Sequence, residues 1–259
     1  MRALILAAGK GERLGKLSQS LPKPMIRIDG KPILQHNIEL CRKFGITEIF
    51  INVHHFRHLI MDYFGDGSSF NVKITYSIEE ELLGTSGAVR NTAEKFWKTK
   101  ITGKYQRSTN NKHAFDKKHG GDDNFQLTES FYILYGDNLS NYNLQLLKIK
   151  AEKTDSILII AFHYREDISS SGVAEFNPSG KILSFIEKPK PSETTSHWVN
   201  AGIYFVKPEI LNYIPPGFSD FARDIFPKLI KENIPIYGVC ENTEVKAFDT
   251  VEMYRKNFS

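Results

Sequence analysis

The chain has 259 residues, of which 41% are hydrophobic and 25% are charged, and its formal net charge at pH 7 is +4. These values exclude a disordered or fibrous protein and favour one globular domain with a substantial core. The mild positive charge permits anionic ligands and gives no reason to expect nucleic-acid binding. No apolar run approaches the ~18 residues of a membrane span, and the start lacks a signal-peptide layout, so we expect a cytoplasmic protein that does not enter a membrane.

The cysteine and histidine residues give no clear indication of a metal site or a disulfide. Cys41 and Cys240 are far apart and in no metal-type spacing. One lies in a helical pattern and the other beside a predicted strand, so we expect two buried thiols and no disulfide. His54, His55 and His58 follow a strand-like run. A metal site is one interpretation of that cluster, but we favour the start of a helix with hydrogen-bonded histidines.

The first feature with chemical content is the start of the chain. An apolar, strand-like run at residues 2–6 enters a glycine-rich turn that contains Arg13, and Lys23 follows between two prolines. Glycines let backbone N–H groups approach an anion closely. Arg13 and Lys23 can then supply the positive charge that a polyphosphate needs. This pattern predicts a triphosphate-binding loop.

Two better-known glycine motifs fit this turn less well. A dinucleotide fingerprint needs a third glycine where Leu14 stands. A P-loop needs Ser or Thr after its Gly-Lys pair, whereas Leu17 follows here. The remaining alternative is a glycine-rich surface turn with scattered charges.

Strand and helix patterns alternate along the chain. The predicted strands of the sheet are residues 2–6, 48–53, 72–76, 131–135, 157–162 and 234–239. The predicted helices are residues 33–44, 56–64, a segment ending about Trp97, 143–153 and 221–230. This alternation predicts an α/β fold with a doubly wound, mostly parallel sheet that helices cover on both faces.

Two regions depart from that alternation. Three later strand patterns, at 172–176, 182–186 and 198–206, predict a small β subregion that begins with a hairpin. Residues 99–124 are polar, basic and dotted with glycine, and have no apolar face to bury. We therefore expect an exposed or disordered insertion within a single domain of residues 1–259. A basic flap over phosphates is the functional alternative.

Two further motifs precede or follow predicted elements. Gly84, Thr85 and Gly87 form a glycine-bearing turn before a helix, which can place backbone groups against a flat ligand; a helix N-cap is the structural alternative.

Asp137 follows a buried strand through Gly136. A carboxylate at the carboxyl end of such a strand lies where α/β sheets bind ligands, and it suits Mg²⁺ that bridges phosphate oxygens. A turn or N-cap role is the alternative for Asp137.

The short motifs at these positions together carry a family resemblance. They are LAAGKGERL at 6–14, PKPM at 22–25, LGTSG at 83–87, GD at 136–137, EKP at 187–189 and NAG at 200–202. Their order and spacing resemble the sugar-1-phosphate nucleotidyltransferases (NDP-sugar pyrophosphorylases), and look most like mannose- and heptose-1-phosphate guanylyltransferases. The resemblance covers nearly the whole chain apart from the insertion. It implies a Rossmann-like fold of the glycosyltransferase-A type.

The resemblance also implies roles for individual residues. Arg13 would meet the leaving phosphates and Lys23 the reacting one, as the catalytic pair. The nucleotide-binding residues would be Leu6, Ala8, Gly9, Gly11, Glu81, Gly84, Thr85 and Gly87. The sugar-phosphate-binding residues would be Gly172, Glu187, Lys188 and Asn200. Without the resemblance, the Glu-Lys pair would be interpreted as solvated charges at a strand end.

The resemblance implies Mg²⁺ held by two acids. Asp137 is the first. Many family members carry Asp-Ile-Gly-Thr-Pro-Glu near the end, and the Asp of that motif aligns with Ala247 here. Asp249 instead takes the glycine position of the motif, and other branches do carry an acid there. We therefore expect Asp249 to be the second ligand.

The expected reaction joins a nucleoside triphosphate, GTP in preference, to a manno-configured hexose or heptose 1-phosphate and releases pyrophosphate. The expected partners are these two substrates, without nucleic acid or membrane, and the sequence leaves a homo-oligomer open. One alternative is a cytidylyltransferase acting on a small phosphorylated alcohol or another sugar phosphate. The late pattern around Asp249 is also similar to that of such cytidylyltransferases. Another is a non-catalytic regulator that binds nucleotide sugars.

Overall fold

The computed structural model of the chain describes residues 1–9, 21–97 and 129–247. The predicted insertion at 99–124 and the predicted site residues Gly11, Arg13 and Asp249 lie outside these ranges. Within the described residues, no helix has the length and apolar character needed to cross a membrane.

Strands and helices alternate through the first part of the chain, and strands dominate the later part. The strands are β1 (Arg2–Leu6), β2 (Arg27–Ile28), β3 (Lys31–Pro32), β4 (Glu48–Val53), β5 (Lys73–Ile78), β6 (Phe131–Tyr135), β7 (Asn138–Ser140), β8 (Leu158–Tyr164), β9 (Gly172–Phe176), β10 (Ile182–Glu187), β11 (Trp198–Val206), β12 (Tyr237–Glu241) and β13 (Val245–Ala247). The α-helices are α1 (Ile33–Lys43), α2 (Arg57–Phe64), α3 (Gly84–Phe96), α4 (Leu144–Thr154) and α5 (Phe226–Lys231).

One nine-stranded sheet organises the described chain. Its main path runs β10-β9-β11-β6-β1-β4-β5, and β8 attaches β12 to β11. The strands β6, β1, β4 and β5 are parallel to one another. By contrast, β11 runs antiparallel to β6, β8 and β9, and β9 pairs with β10 as a hairpin. The predicted α/β class with a mostly parallel central sheet is confirmed, and the antiparallel strands form the predicted β subregion.

Helices bury both faces of this sheet. On one face, Ile5 of β1 packs in a cluster with Ile38 of α1 and Leu147 of α4. On the other face, Leu4 packs in a cluster that includes Val89 of α3. Because successive side chains of a strand point to opposite faces, a strand covered on both sides needs an unbroken apolar run. This is why residues 2–6 lack the alternation of a half-exposed strand.

One local prediction is right in extent but not in helix type, and another is wrong. The helix predicted over 221–230 is a π-helical turn, Phe221–Ile225, followed by α5. Pro227 has no N–H to donate to the carbonyl four residues earlier, so proline fits an α-helix only in its first turn, and α5 accordingly begins at Phe226. Cys41 is buried as expected, but Cys240 is exposed. It lies on β12, the outermost described strand on its side of the sheet, which leaves its later residues at least partly exposed.

Candidate functional site

Two adjoining cavities open at the carboxyl ends of the parallel strands. The strand-end cavity has a volume of about 260 Å³ and is lined by residues that include Leu6, Ala8, Lys23, Glu79, Gly84 and Phe218. The hairpin cavity has a volume of about 370 Å³ and is lined by residues that include His163, Arg165, Gly172, Glu187, Lys188 and Asn200. Tyr135, Asp137 and Asp220 line both cavities and form the junction between them.

Asp137 is held at this junction by the turn that follows β6. Gly136 donates its N–H to the carbonyl of Leu6 at 2.9 Å. A Cβ at Gly136 would lie 2.8 Å from that same oxygen, so only glycine permits this approach of the two strand ends. The Asp137 side chain is 30% exposed, and its Oδ2 lies 3.8 Å from Nζ of Lys23. A carboxylate at the junction therefore lies close to an ammonium group, and both residues line the strand-end cavity.

Lys23 lies in a short 3₁₀ turn, Lys23–Met25, in which Met25 donates its N–H to the carbonyl of Pro22 at 2.8 Å. Its side chain is only 7% exposed. Burying an ammonium group costs free energy unless negative charge compensates it. Asp137 supplies part of that compensation, and an anion in the cavity would supply more.

A buried hydrogen-bonded bridge crosses the floor of the strand-end cavity. The N–H of Ala7 donates to Oδ1 of Asn52 at 2.7 Å, and Nδ2 of Asn52 donates to Oε1 of Glu79 at 2.9 Å. The N–H of Leu83 donates to the other carboxylate oxygen of Glu79 at 3.2 Å. Burial raises the pKa of Glu79, and these hydrogen bonds oppose the rise. The bridge fixes the ends of β1, β4 and β5 relative to the start of α3.

The glycines at the start of α3 accommodate a neighbouring loop. A Cβ at Gly84 would lie 2.3 Å from the carbonyl oxygen of Ser219, and one at Gly87 would lie 2.3 Å from that of Gly217. Gly84 also has a φ of +72°, a conformation that other residues rarely adopt. Close packing between α3 and residues 217–219 thus depends on both glycines.

Thr85 does not cap α3, because the N-cap residue is Leu83 and no side chain caps the helix start. Its hydroxyl donates to Oδ2 of Asp220 at 2.8 Å and accepts the N–H of Phe221 at 2.9 Å. Asp220 in turn caps the π-helical turn by accepting the N–H of Ala222. Thr85 therefore ties the start of α3 to the wall that the two cavities share.

The β9–β10 hairpin positions the acid and base of the hairpin cavity. Gly172 pairs with Glu187, and a Cβ at Gly172 would lie 2.3 Å from Cζ of Phe185 and 2.8 Å from Oε2 of Glu187. Lys188 has a φ of +56°, and its N–H donates to the carbonyl of Ser171 at 3.0 Å. A left-handed conformation outside glycine is uncommon and concentrates at functional sites. Glu187 is half-buried and Lys188 is exposed, and both line the hairpin cavity.

Asn200 shapes a bulge in β11 at Gly202, where φ is +68°. Its Oδ1 accepts the N–H of Gly202 at 2.9 Å, and its Nδ2 donates to the hydroxyl of Tyr204 at 2.9 Å. Tyr204 donates onward to the hydroxyl of Tyr135 at 3.1 Å. Burial raises the pKa of both tyrosines, so their hydroxyls remain protonated donors at neutral pH. Asn200 is therefore connected to the junction through these two hydroxyls.

His163 and Arg165 are among the residues of the hairpin cavity that were not predicted from the sequence. Burial, with a contribution from the charge of Arg165, lowers the pKa of His163 to about 4, so this imidazole is neutral at pH 7. Nη1 of Arg165 donates to the hydroxyl of Ser171 at 3.3 Å. Continuing the alternation of β8 past Ala161 puts both residues on one face, which is the signal that points to them.

A divalent cation would have oxygen ligands at the junction. Asp137 offers a half-buried carboxylate there, and Mg²⁺ is commonly held by one or two carboxylates together with waters and substrate phosphates. The donor chemistry of the junction therefore suits Mg²⁺, although no cluster of three or more His, Cys, Asp or Glu occurs within the described ranges. Ala247 lines the hairpin cavity and pairs with Asn138, so the position that the resemblance aligns with a second acid lies opposite the residue that follows Asp137.

The structure brings most of the predicted site residues together. Those that line a cavity are Leu6, Ala8, Gly9, Lys23, Gly84, Thr85, Asp137, Gly172, Glu187, Lys188 and Asn200. Gly87 is buried beneath the 217–219 loop. Glu81 is exposed and is absent from the linings of both cavities, whereas Glu79, two residues earlier, is buried and lines the strand-end cavity. The roles of all these residues stay predictions.

Comparison with known proteins identifies relatives of this chain. The family model described as "Nucleotidyl transferase" matches residues 2–105 and 110–245. The chain is 35% identical over 251 residues to a UTP–glucose-1-phosphate uridylyltransferase of Synechocystis sp., covering 92% of the chain and 58% of that protein. It is 29% identical to a D-glycero-α-D-manno-heptose 1-phosphate guanylyltransferase of Campylobacter jejuni, covering 88% of each.

The fold has close counterparts among solved structures. The structure of HddC from Yersinia pseudotuberculosis, complexed with GMP-PN, matches with a TM-score of 0.73 and 23% identity, covering 99% of the chain and 97% of that protein. This likeness concerns the fold, whereas the family match spans almost the whole sequence and includes both cavities. The chain therefore belongs to the nucleotidyl transferase family.

Proposed function

We propose that this chain joins a nucleoside triphosphate to a sugar 1-phosphate and releases pyrophosphate, with GTP and a manno-configured hexose or heptose 1-phosphate as the preferred pair. The observation that carries the proposal is the junction: two cavities meet at Asp137, and the buried ammonium of Lys23 lies 3.8 Å away. Glycines and apolar side chains line much of the strand-end cavity and suit a nucleoside. Charged and amide side chains line the hairpin cavity and suit a sugar phosphate. The phosphates of both substrates would then meet at the junction.

The proposed step needs no general base. A phosphate oxygen of the sugar 1-phosphate attacks the α-phosphorus, the new P–O bond forms, and the bond to the β-phosphate oxygen breaks as pyrophosphate leaves with the electron pair. Because the nucleophile is already an anion, catalysis depends on positioning and on neutralising charge. Lys23 and Lys188 supply positive charge from the described residues, and we expect Arg13 to add to it.

Mg²⁺ is the proposed cofactor, with Asp137 and Asp249 as the residues that would hold it. When bound, it would contribute positive charge against the phosphate oxygens. Lys23, at 3.8 Å from Asp137, would contribute a further positive charge near the same carboxylate.

Glu79 supports a preference for guanine. An ionised carboxylate only accepts hydrogen bonds. The edge of guanine offers two neighbouring donors, N1–H and N2–H, whereas uracil flanks its single N3–H with two carbonyl acceptors. Each oxygen of Glu79 already accepts one protein N–H and keeps a further acceptor site. A base that brings two donors would therefore suit this buried carboxylate better than uracil does.

The relatives support two different substrate pairs. The Campylobacter relative is named for heptose 1-phosphate guanylyl transfer, and the Synechocystis relative for uridylyl transfer to glucose 1-phosphate. UTP with glucose 1-phosphate is therefore the second candidate, favoured by the higher sequence identity. The carboxylate of Glu79 favours the first.

The test is pyrophosphate release, measured with each of the four NTPs against mannose, heptose and glucose 1-phosphates in the presence of Mg²⁺. We expect the highest kcat/KM for GTP with a manno-configured sugar, and loss of turnover when EDTA removes the metal. A highest value for UTP with glucose 1-phosphate would reject the preference but keep the reaction. Absence of turnover across the panel, with nucleotide sugars still bound, would reject the reaction in favour of a regulator.

A further inference from the structure

Phe218 is an aromatic side chain in an unusual place. The residue is 70% exposed, yet it lines the strand-end cavity. Cε2 of this ring lies 3.3 Å from the position that a Cβ on Gly84 would occupy. Other exposed aromatic residues, such as Tyr164, line neither cavity, whereas a phenyl ring at a cavity rim offers an apolar face that a ligand in the cavity would favourably cover.

The backbone that carries Phe218 is fixed. The next residue, Ser219, is 1% exposed, and its N–H donates to the carbonyl of Leu83 at 2.9 Å. The carbonyl of Ser219 accepts the N–H of Ser86 at 3.1 Å, and the two serine hydroxyls are 2.7 Å apart. The ring is thus presented by a segment bonded to the first turn of α3, and a rigidly presented group loses little entropy when it binds.

The position of the ring indicates which part of a ligand it would contact. Lys23 and Asp137 both line the strand-end cavity and lie 3.8 Å apart, and phosphates would bind beside this pair. Phe218 lies against Gly84 and shares the cavity with Leu82 and the buried Glu79. The part of a nucleoside triphosphate with a flat, apolar face is its base. We infer that Phe218 stacks on the base of the nucleotide and is a binding residue for it; this inference rests on the proposed function.

Stacking and edge recognition predict different behaviour. Every base has a π-face, so stacking on an aromatic side chain adds affinity without selecting a base. Hydrogen bonds from Glu79 would act on the edge of the base and would select among bases. Phe218 should therefore change the affinity for all four NTPs by a similar factor, whereas Glu79 should change their ratio.

The experiment measures equilibrium binding without the sugar substrate. In Phe218→Ala, we expect the Kd of GTP and of UTP each to rise by about tenfold, while the Kd of inorganic triphosphate stays unchanged. Phe218→Leu keeps an apolar side chain but removes the π-face, and should weaken NTP binding nearly as much. Phe218→Trp should retain affinity, and nucleotide but not triphosphate should quench its added fluorescence. The control is Leu183→Ala, which removes a side chain 54% exposed on β10, away from both cavity linings, and should change none of these values.

Several outcomes would overturn the inference. They are an unchanged Kd for GTP in Phe218→Ala, an equal rise for inorganic triphosphate, full retention of affinity in Phe218→Leu, and wild-type protein that binds triphosphate as tightly as GTP. A change in oligomer mass in Phe218→Ala with unchanged NTP binding would assign the ring to a contact between copies instead. Binding is measured separately from turnover. A negative binding result would therefore not affect the pyrophosphate-release test, and a negative result in that test would not affect the interpretation of the binding data.

Discussion

The two cavities share a wall, but different strands and different chemical groups line them. The strand-end cavity is formed by the ends of parallel strands, by backbone groups and by glycines such as Gly84 that allow close approach. The hairpin cavity is formed by antiparallel strands whose charged and amide side chains, such as Glu187 and Asn200, point into it. We infer a division between them: the strand-end cavity would hold the nucleotide through backbone groups together with the side chains of Lys23, Glu79 and Phe218, and the hairpin cavity would hold the sugar phosphate mainly through its side chains.

That division predicts how substitutions should behave. Changes in the strand-end cavity should alter the kinetic parameters of the nucleotide, changes in the hairpin cavity those of the sugar phosphate, and changes at the junction both. The predictions below test this separation, from the largest expected effect to the smallest.

The largest effect is expected at the junction. Lys23→Met removes the ammonium near Asp137 but keeps most of the buried aliphatic stem. We expect kcat to fall by about 10²–10³, because one preorganised charge that stabilises a transition state is lost. Lys31→Met, at an exposed ion pair with Glu39, is the matched control and should leave kcat unchanged. Undiminished turnover in Lys23→Met would remove Lys23 from the catalytic residues.

Base choice should depend on Glu79. Glu79→Gln replaces an acceptor-only group with one that both donates and accepts, which suits uracil better. We expect the ratio of kcat/KM for GTP to that for UTP to fall by roughly 30-fold, within the range for a bidentate base contact. Glu81→Gln is the control, and it also tests the earlier prediction that Glu81 binds nucleotide. A shift in base preference caused by Glu81→Gln alone would reverse the two assignments.

Paired glycine substitutions separate the two cavities. Gly84→Ala adds a Cβ 2.3 Å from the Ser219 carbonyl oxygen, and Gly172→Ala adds one 2.3 Å from Cζ of Phe185. Each neighbour must shift, at a cost typical of overpacking. We expect Gly84→Ala to raise the KM of the nucleotide and Gly172→Ala that of the sugar 1-phosphate, each by about tenfold. If either variant raises both KM values equally, the cavities do not act separately.

The smallest effect is a pH dependence of stability from the hairpin cavity. The pKa of His163 is lowered from 6.5 to about 4 in the fold, so between these values the unfolded chain binds more protons than the folded one. The free energy of unfolding should therefore decrease as pH falls through this window, by at most about 1.4 kcal/mol per pH unit from this group. His163→Gln should flatten that decrease in denaturant titrations at pH 4 to 7.

Glu79 in the strand-end cavity should act in the opposite direction. Its pKa is raised in the fold, so the folded chain binds more protons above its ordinary pKa, and protonation stabilises the fold as pH falls. In Glu79→Gln, the free energy of unfolding should consequently decrease more steeply as pH falls than in the wild type. In His163→Gln it should decrease less steeply. Identical slopes in both variants and the wild type would contradict both assignments.

The sequence was most informative where residues follow buried strands. Asp137 could be found because an apolar run ends directly before its Gly-Asp pair, and strand ends are where α/β sheets bind ligands. The strands themselves were predictable because both faces of the sheet are covered, which demands continuous apolar runs.

Other site residues carry weaker signals. Three consecutive acids occupy 79–81, and the alternation of β5, in which Ser77 and Glu79 fall on one buried face, separates Glu79 from Glu80. It does not separate Glu79 from Glu81, which has the same parity; that distinction appears only in the structure, where β5 ends at Ile78 and Glu81 is exposed. Phe218 lies in a loop without periodicity, and its place at the cavity rim arises from the contact between residues 217–219 and α3, far apart in the chain. Pro227 was a local signal against a regular helix that the amphipathic pattern outweighed.

Strand β11 also determines how the protein should unfold. The last residues of β11 pair with β6, whereas its first residues pair with β9, and β8 runs alongside both parts. The bulge at Gly202 lets a single segment belong to the parallel half and the antiparallel half of the sheet. Neither half can lose this strand without exposing the other, so the halves should melt together, and a calorimetric scan should show one cooperative transition.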